Sequence, residues 1–260
     1  MLVNSHADID HTYGNQLVKG AKIVASQGTA DEFFKVTPEY LQGLIDTDMS
    51  EGGRYIAKVM GNHIFDYSGI ILTPPTETFD REATLKVGNK TVKLYNVGPA
   101  HTSGDTIIHS VEDRVVFTGD LLFLGVHPAI WAGSLEGWIA ACDKMLSLDI
   151  DTVVSGHGPV TDKLGVRTFR EYLVTIRDET RKRFDAGLSV EEAAWGIHKV
   201  VVESMAAAAR VHLVEKGKDP RSYSMVGFSG AGPAHAADVA RVMGVREVII
   251  PPASGAASAL

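Results

Sequence analysis

Short apolar runs stopped by glycine, proline or asparagine dominate the first two thirds of the chain. Ala21–Ser26, Ala83–Val87, Lys90–Leu94, Thr106–Ser110, Arg114–Phe117 and Thr152–Val154 read as strands. Gly88-Asn89 joins two of them as a β-hairpin, and Glu112-Asp113 marks a second turn. Helical spacing takes over elsewhere. Tyr13–Val18 suits a short helix, and Phe33, Phe34, Val36, Tyr40, Leu41, Leu44, Ile45, Ile56, Val59 and Met60 recur at helix spacing between Thr29 and His63. Thr37 before Pro38 and Glu39 predicts a helix start there. Trp138–Leu146 and Val166–Asp185 continue the helical pattern, closed by Gly187 and Ser189. Beyond them the spacing predicts a short helix over Val190–Ile197 and an alanine-rich one over Val200–Lys216. A strand at Ser224–Val226 then enters a glycine-rich turn and a helix, and Val245–Pro252 forms a last strand. Strands mixed with outer helices predict an α/β fold.

Composition narrows the class without naming a function. The chain has 260 residues, 45% of them hydrophobic and 22% charged, with a net charge of −7. That is enough apolar material for one core or two small ones, and an acidic balance that argues against nucleic acid as a partner. No run approaches the roughly 18 apolar residues of a membrane span. The one cysteine, Cys142, excludes an internal disulfide, sits at helical core spacing and agrees with a cytoplasmic location.

The chemistry concentrates at the start. His6, Asp8, Asp10 and His11 fall within Asn4-Ser5-His6-Ala7-Asp8-Ile9-Asp10-His11, just after an apolar opening. Two imidazoles and two carboxylates held this close are costly to fold unless a divalent cation takes their lone pairs. Three later loops offer further ligands, each where an apolar run meets a flexible turn: His101 in Gly98-Pro99-Ala100-His101-Thr102-Ser103-Gly104-Asp105, Asp120 in Phe117-Thr118-Gly119-Asp120, and His157 in Ser155-Gly156-His157-Gly158. His63, His109, His198, His212 and His235 default to structural roles. His127, a few residues past Asp120, and Trp131 are weaker candidates for a substrate pocket.

A clustered motif followed by a strand-end histidine, Gly-Asp and Gly-His-Gly resembles the metallo-β-lactamase-fold hydrolases over roughly residues 1–185. The resemblance implies an αββα sandwich. It also implies that His6, the residue at Asp8 and His101 hold one metal, that Asp10, His11 and His157 hold a second, and that Asp120 bridges them. The family has histidine where this chain has Asp8. With Asp8, Asp10 and Asp120 ionised, the extra oxygen ligand lowers Lewis acidity and tilts preference from zinc toward harder ions such as manganese or iron. Two divalent ions, zinc first, are the expected cofactors. They imply a metal-bound hydroxide attacking a carbonyl or phosphorus centre, with Asp120 and Asp10 the carboxylates placed to orient it. Substrates of that kind include esters, lactones, thioesters, β-lactams and phosphotriesters, with broad tolerance expected.

Only Met1-Leu2-Val3-Asn4 precede the metal motif, so the sandwich is expected to lack its leading strands, with no leader peptide. The gap is expected to be filled by the C-terminal segment or by a second copy in a homodimer or higher oligomer. The stretch from about Val200 to Leu260, with its Gly-Ala-Gly-Pro turn and Val-Ile-Ile-Pro-Pro strand, resembles a piece of the hydantoinase A/oxoprolinase family and reads as a small βαβ appendage. The expected domains are thus 1–198, the metal-binding hydrolase, and 199–260, the appendage. Two other readings compete with a small-molecule hydrolase that touches neither nucleic acid nor membrane. One is an iron-dependent oxidation such as persulfide dioxygenation, and the other a non-catalytic fusion with a structural metal site.

Overall fold

The computed structural model describes residues 1–47, 67–126, 128, 134–227 and 232–251. The chain divides into two compact units, Met1–Leu122 with Ala129–Arg167, and Phe123–Pro128 with Thr168–Leu260. The first unit holds two sheets. β1 (Leu2–Val3), β2 (Ile23–Ser26) and β3 (Glu77–Phe79) form a parallel sheet in the order β1-β2-β3. All four residues of β2 are buried, as expected of the middle strand of a parallel sheet. The second sheet runs β4 (Glu82–Val87), β5 (Lys90–Asn96), β6 (Thr106–Ser110), β7 (Val115–Phe117) and β8 (Thr152–Val154) in chain order, antiparallel until β8 joins β7 in parallel.

The sheets meet through a core in which Val24 of β2 packs with Leu85 and Leu94 of β4 and β5, joined by Val3, Phe79, Ala83, Val92 and Ile108. Helices α1 (Ile9–Thr12), α2 (Gln27–Glu32), α3 (Pro38–Thr47) and α4 (Leu135–Ser147) complete the α/β sandwich. Thr37 caps α3, its hydroxyl accepting from the Tyr40 amide at 3.1 Å, so the predicted start is correct. The helical expectation beyond residue 47 lies outside the described residues. α4 buries Trp138, Ile139, Ala141, Cys142 and Met145, which places the lone cysteine in the core. No helix among the described residues is long and apolar enough to cross a membrane.

α5 (Lys163–Asp185) begins in the first unit and runs into the second, which also contains α6 (Val190–Glu215), β9 (Met225–Val226), α7 (Gly232–Met243) and β10 (Val248–Ile249). β9 and β10 pair in parallel with α7 between them in sequence, the expected βαβ appendage. Its core is Val202 and Ala206 of α6 against Val239 and Met243 of α7. One expectation is corrected here, because α6 is continuous where the sequence suggested two helices. Nothing between Ile197 and Val200 breaks a helix. Gly196 instead makes room for Arg183 of α5, whose guanidinium donates to the Gly196 carbonyl at 3.3 Å.

Candidate metal centre

Four loops bring the charged groups together. The motif after β1 turns into α1 and is pinned by a buried amide pair. Asn4 and Asn15 exchange hydrogen bonds at 3.0 Å in both directions, Asn4 donates to the His11 carbonyl at 3.2 Å and Asn15 to that of Thr73 at 2.9 Å. Thr12 closes the turn by donating to the Asp8 carbonyl at 2.9 Å. The loop after β5 is shaped by Asp105, whose carboxylate accepts from the amides of Ala100 (3.2 Å) and Thr102 (2.8 Å) and from the Thr102 hydroxyl (2.7 Å). Burial nevertheless raises the pKa of Asp105 to about 6.

Asp120 follows β7 in a single 3₁₀ turn, Gly119–Leu121, and His157 follows β8. These two turns touch. The Gly156 amide donates to the Gly119 carbonyl at 2.9 Å, and a Cβ on Gly156 would lie 2.6 Å from that oxygen and closer still to Asp120 Oδ1. Glycine at 156 is thus what allows β8's turn to reach Asp120.

All seven residues expected at the centre converge. His6, Asp8, His101 and Asp120 form one group of donor atoms lying within 4.8 Å of each other, and Asp10, His11 and His157 form another. Asp120 spans both. Its Oδ2 lies 3.2 Å from His157 Nε2, 3.5 Å from His101 Nε2 and 3.9 Å from His6 Nε2, and its Oδ1 lies 3.0 Å from His11 Nε2. Asp10 Oδ2 is 3.2 Å from His11 Nε2 and 3.3 Å from His157 Nε2. The Asp8 side chain reaches the cluster, with Oδ2 at 3.1 Å from His101 Nε2 and 3.7 Å from His6 Nε2. The cluster has a floor and a mouth: the side chains of His6 and His101 are 1% exposed, those of His157 and Asp10 42% and 53%. His127 and Trp131, the two pocket candidates, lie outside the described residues.

The electrostatics follow from this crowding. Burial, aided by the neighbouring His11 cation, depresses the pKa of His6 to about 4. Burial would also depress His11, but Asp10 and Asp120 outweigh it and hold His11 up to about 10. Asp10 falls to about 2 and Asp120 also falls, in both cases because histidine partners outweigh the cost of burial. Without metal, then, His11 holds its proton between two carboxylates.

The donor set fits a metal. His6 Nε2, His11 Nε2 and Asp120 Oδ1 are buried and make no hydrogen bond among the described residues. An imidazole nitrogen and a carboxylate oxygen that approach to 3.0 Å without aligning are aimed at a shared third point, and groups this buried are rarely left unsatisfied. A divalent cation at that point satisfies them. The ligands are all nitrogen and oxygen, a set suited to zinc, manganese or iron.

Comparison with known proteins agrees with this geometry. The sequence model of the metallo-beta-lactamase superfamily matches residues 2–157. The chain belongs to that superfamily. A second model, Hydantoinase/oxoprolinase, matches residues 144–260, beginning well before the glycine-rich stretch that suggested it and taking in α5 and α6. Among solved structures, an inverting sec-alkylsulfatase from Pseudomonas sp. is similar with a TM-score of 0.54 at 16% identity, over 72% of this chain and 34% of that one. A double mutant of a sec-alkyl sulfatase gives 0.57 at 16% identity, over 75% and 35%. Such low identity speaks for the fold alone.

Curated relatives match in sequence. Arabidopsis thaliana 5-oxoprolinase 1 is 32% identical over 49% of this chain and 11% of its own length, and the alpha subunit of Pseudomonas jessenii caprolactamase 40% over 25% and 9%. An uncharacterised Methanocaldococcus jannaschii protein is 46% identical over 28% and 11%. The chain thus spans about a tenth of the length of these relatives. The superfamily and the His/Asp cluster together support metal-dependent hydrolysis in general.

Three features of the centre escaped the sequence reading. The Asn4–Asn15 pair carries no periodic signal, and Asp105, although part of the His101 loop motif, offered no sign that it organises the loop. The third is Ser5, whose Oγ lies 3.0 Å from His6 Nδ1.

Proposed function

We propose that the chain is a hydrolase of small molecules that works with two divalent ions, zinc foremost, held by His6, Asp8 and His101 on one side and Asp10, His11 and His157 on the other, with Asp120 between them. The observation that carries this is the position of Asp120, one carboxylate within 3.9 Å of all four histidine Nε2 atoms. Bound ions of this class lower the pKa of water and polarise a substrate oxygen. The protein supplies the rest. His6 and His101 form a buried floor, which strengthens electrostatic contacts at the reacting atoms. Asp10 and His157 stand at the solvent side, where Asp10 is placed to accept a hydrogen bond from the attacking water and His157 lines the approach of substrate. Asp120 holds both halves in register.

Esters, lactones, thioesters, β-lactams and phosphotriesters share the polarised, attackable centre this arrangement suits, and the half-open mouth favours broad tolerance. Residues 199–260, the C-terminal part of the stretch matched by the hydantoinase/oxoprolinase model, are proposed as a structural appendage or subunit interface. The test is a panel of chromogenic esters, lactones and phosphotriesters, run before and after chelation and with Asp120→Ala. The expected result is turnover that vanishes with chelator, returns with zinc and is absent in Asp120→Ala. Turnover indifferent to both would overturn the proposal, as would one equivalent of iron accompanied by oxygen consumption.

A further inference from the structure

His6 shares the buried floor of the cluster with His101, and among the described residues one side chain, Ser5, lies at hydrogen-bond distance from its ring. Ser5 Oγ lies 3.0 Å from His6 Nδ1, while Nε2 faces the cluster and makes no hydrogen bond among the described residues. The neighbouring rings of His11 (4.3 Å between centroids) and His101 (5.1 Å) pack against His6 but do not distinguish its nitrogens from its carbons. A ring flip would keep those contacts and turn carbon toward the cation.

Ser5 is itself locked in place. Its carbonyl accepts from the Thr106 amide at 2.8 Å, and its side chain fills the space that a Cβ on Gly119 would enter, 2.5 Å from Ser5 Oγ and 2.6 Å from Ser5 Cβ. Gly119 has a φ of +51° and directly precedes Asp120. The serine that anchors His6 is thus interlocked with the turn that delivers the bridging carboxylate.

We infer that Ser5 is a positioning residue of the metal centre, its Oγ accepting a hydrogen bond from His6 Nδ1–H and so fixing the ring and the tautomer that present a bare Nε2 to the cation. The inference rests on the reading of His6 as a ligand. A neutral imidazole carries one N–H, and the partner of one nitrogen decides which nitrogen is free to coordinate. A serine oxygen can accept a hydrogen bond from that N–H. An alanine cannot, and leaves both the flip and the tautomer unconstrained.

The test uses the full chain, zinc as the probe and a competing chromogenic chelator. Ser5→Ala should weaken one of the two zinc ions by about 10- to 100-fold, leave the other near wild type, and keep the far-ultraviolet circular dichroism unchanged. Ser5→Thr, which retains the hydroxyl, should recover most of the loss. In zinc-loaded wild type, nitrogen-15 NMR of the His6 ring should show the proton on Nδ1. Undiminished zinc binding in Ser5→Ala overturns the inference and leaves the metal reading standing. Equal weakening of both ions, no recovery in Ser5→Thr, or a proton on Nε2 also overturns it. A wild-type chain that binds no zinc removes the ligand reading and this inference with it.

Discussion

Replacing Gly156 with alanine adds one methyl group where the structure has no room for it. The new Cβ would lie 2.6 Å from the Gly119 carbonyl oxygen, 2.5 Å from its carbon and closer yet to Asp120 Oδ1. Comfortable carbon contacts begin near 3.5 Å, so one of the two turns has to retreat by roughly 1 Å. Backbone lies on both sides, and the Gly156 amide to Gly119 carbonyl bond at 2.9 Å resists that retreat. Overpacking of this kind costs about 1–3 kcal/mol. The functional penalty adds to it, because metal ligands need placement to within about 0.5 Å. Gly156→Ala should therefore lower stability in urea by an amount in that range and weaken zinc binding at least about tenfold, which is about 1.4 kcal/mol. Gly14→Ala is the control, since a Cβ there meets nothing within 4 Å. It should be neutral or slightly stabilising through the entropy of the unfolded chain. Gly156→Ala matching Gly14→Ala in both urea denaturation and zinc titration would refute the reasoning.

Asn15→Ala should cost about 1–3 kcal/mol in urea denaturation, because it removes the donor to the buried Asn4 side-chain oxygen and to the Thr73 carbonyl; a stability equal to wild type would contradict the role given to the pair. The metal-free protein should be most stable near neutral pH. His6, depressed to about 4, withdraws stability as pH falls from 6.5 toward 4, because the unfolded chain then binds the extra proton. His11, raised to about 10, contributes stability that is complete below 6.5 and lost as pH rises through 10. Asp105, raised to about 6, opposes the His6 effect by gaining stability as pH falls through 6, so the alkaline arm is the larger, worth roughly a few kcal/mol, and zinc should abolish it by taking the proton's place on His11. Denaturation curves collected from pH 5 to 9 check this, and a flat metal-free profile would contradict it.

Much of the centre was legible because the first four ligands crowd into six positions and the later three follow the end of a strand pattern. Thr152–Val154 ending at Gly156-His157-Gly158, and Val115–Phe117 ending at Gly119-Asp120, carry both a period and a breaker. The predicted hairpin across Gly88-Asn89 is present for the same reason. β3 was not legible, since Glu77–Phe79 is three residues long, largely exposed and without alternation. The unbroken α6 was missed because its stripe is defined by packing against α7, which lies further along the chain. Ser5 was invisible for a different reason. Its importance lies in one contact to the next residue's ring and one close approach to Gly119, and neither leaves a spacing to read.

The measurement closest to the heart of this account is the metal content of the purified chain by elemental analysis, wild type beside Asp120→Ala. The wild type should carry two equivalents of divalent metal per chain and lose at least one when the carboxylate shared by both proposed ion sites is removed. A wild-type chain that carries no stoichiometric metal after incubation with zinc, or an Asp120→Ala variant that retains both ions, would contradict it.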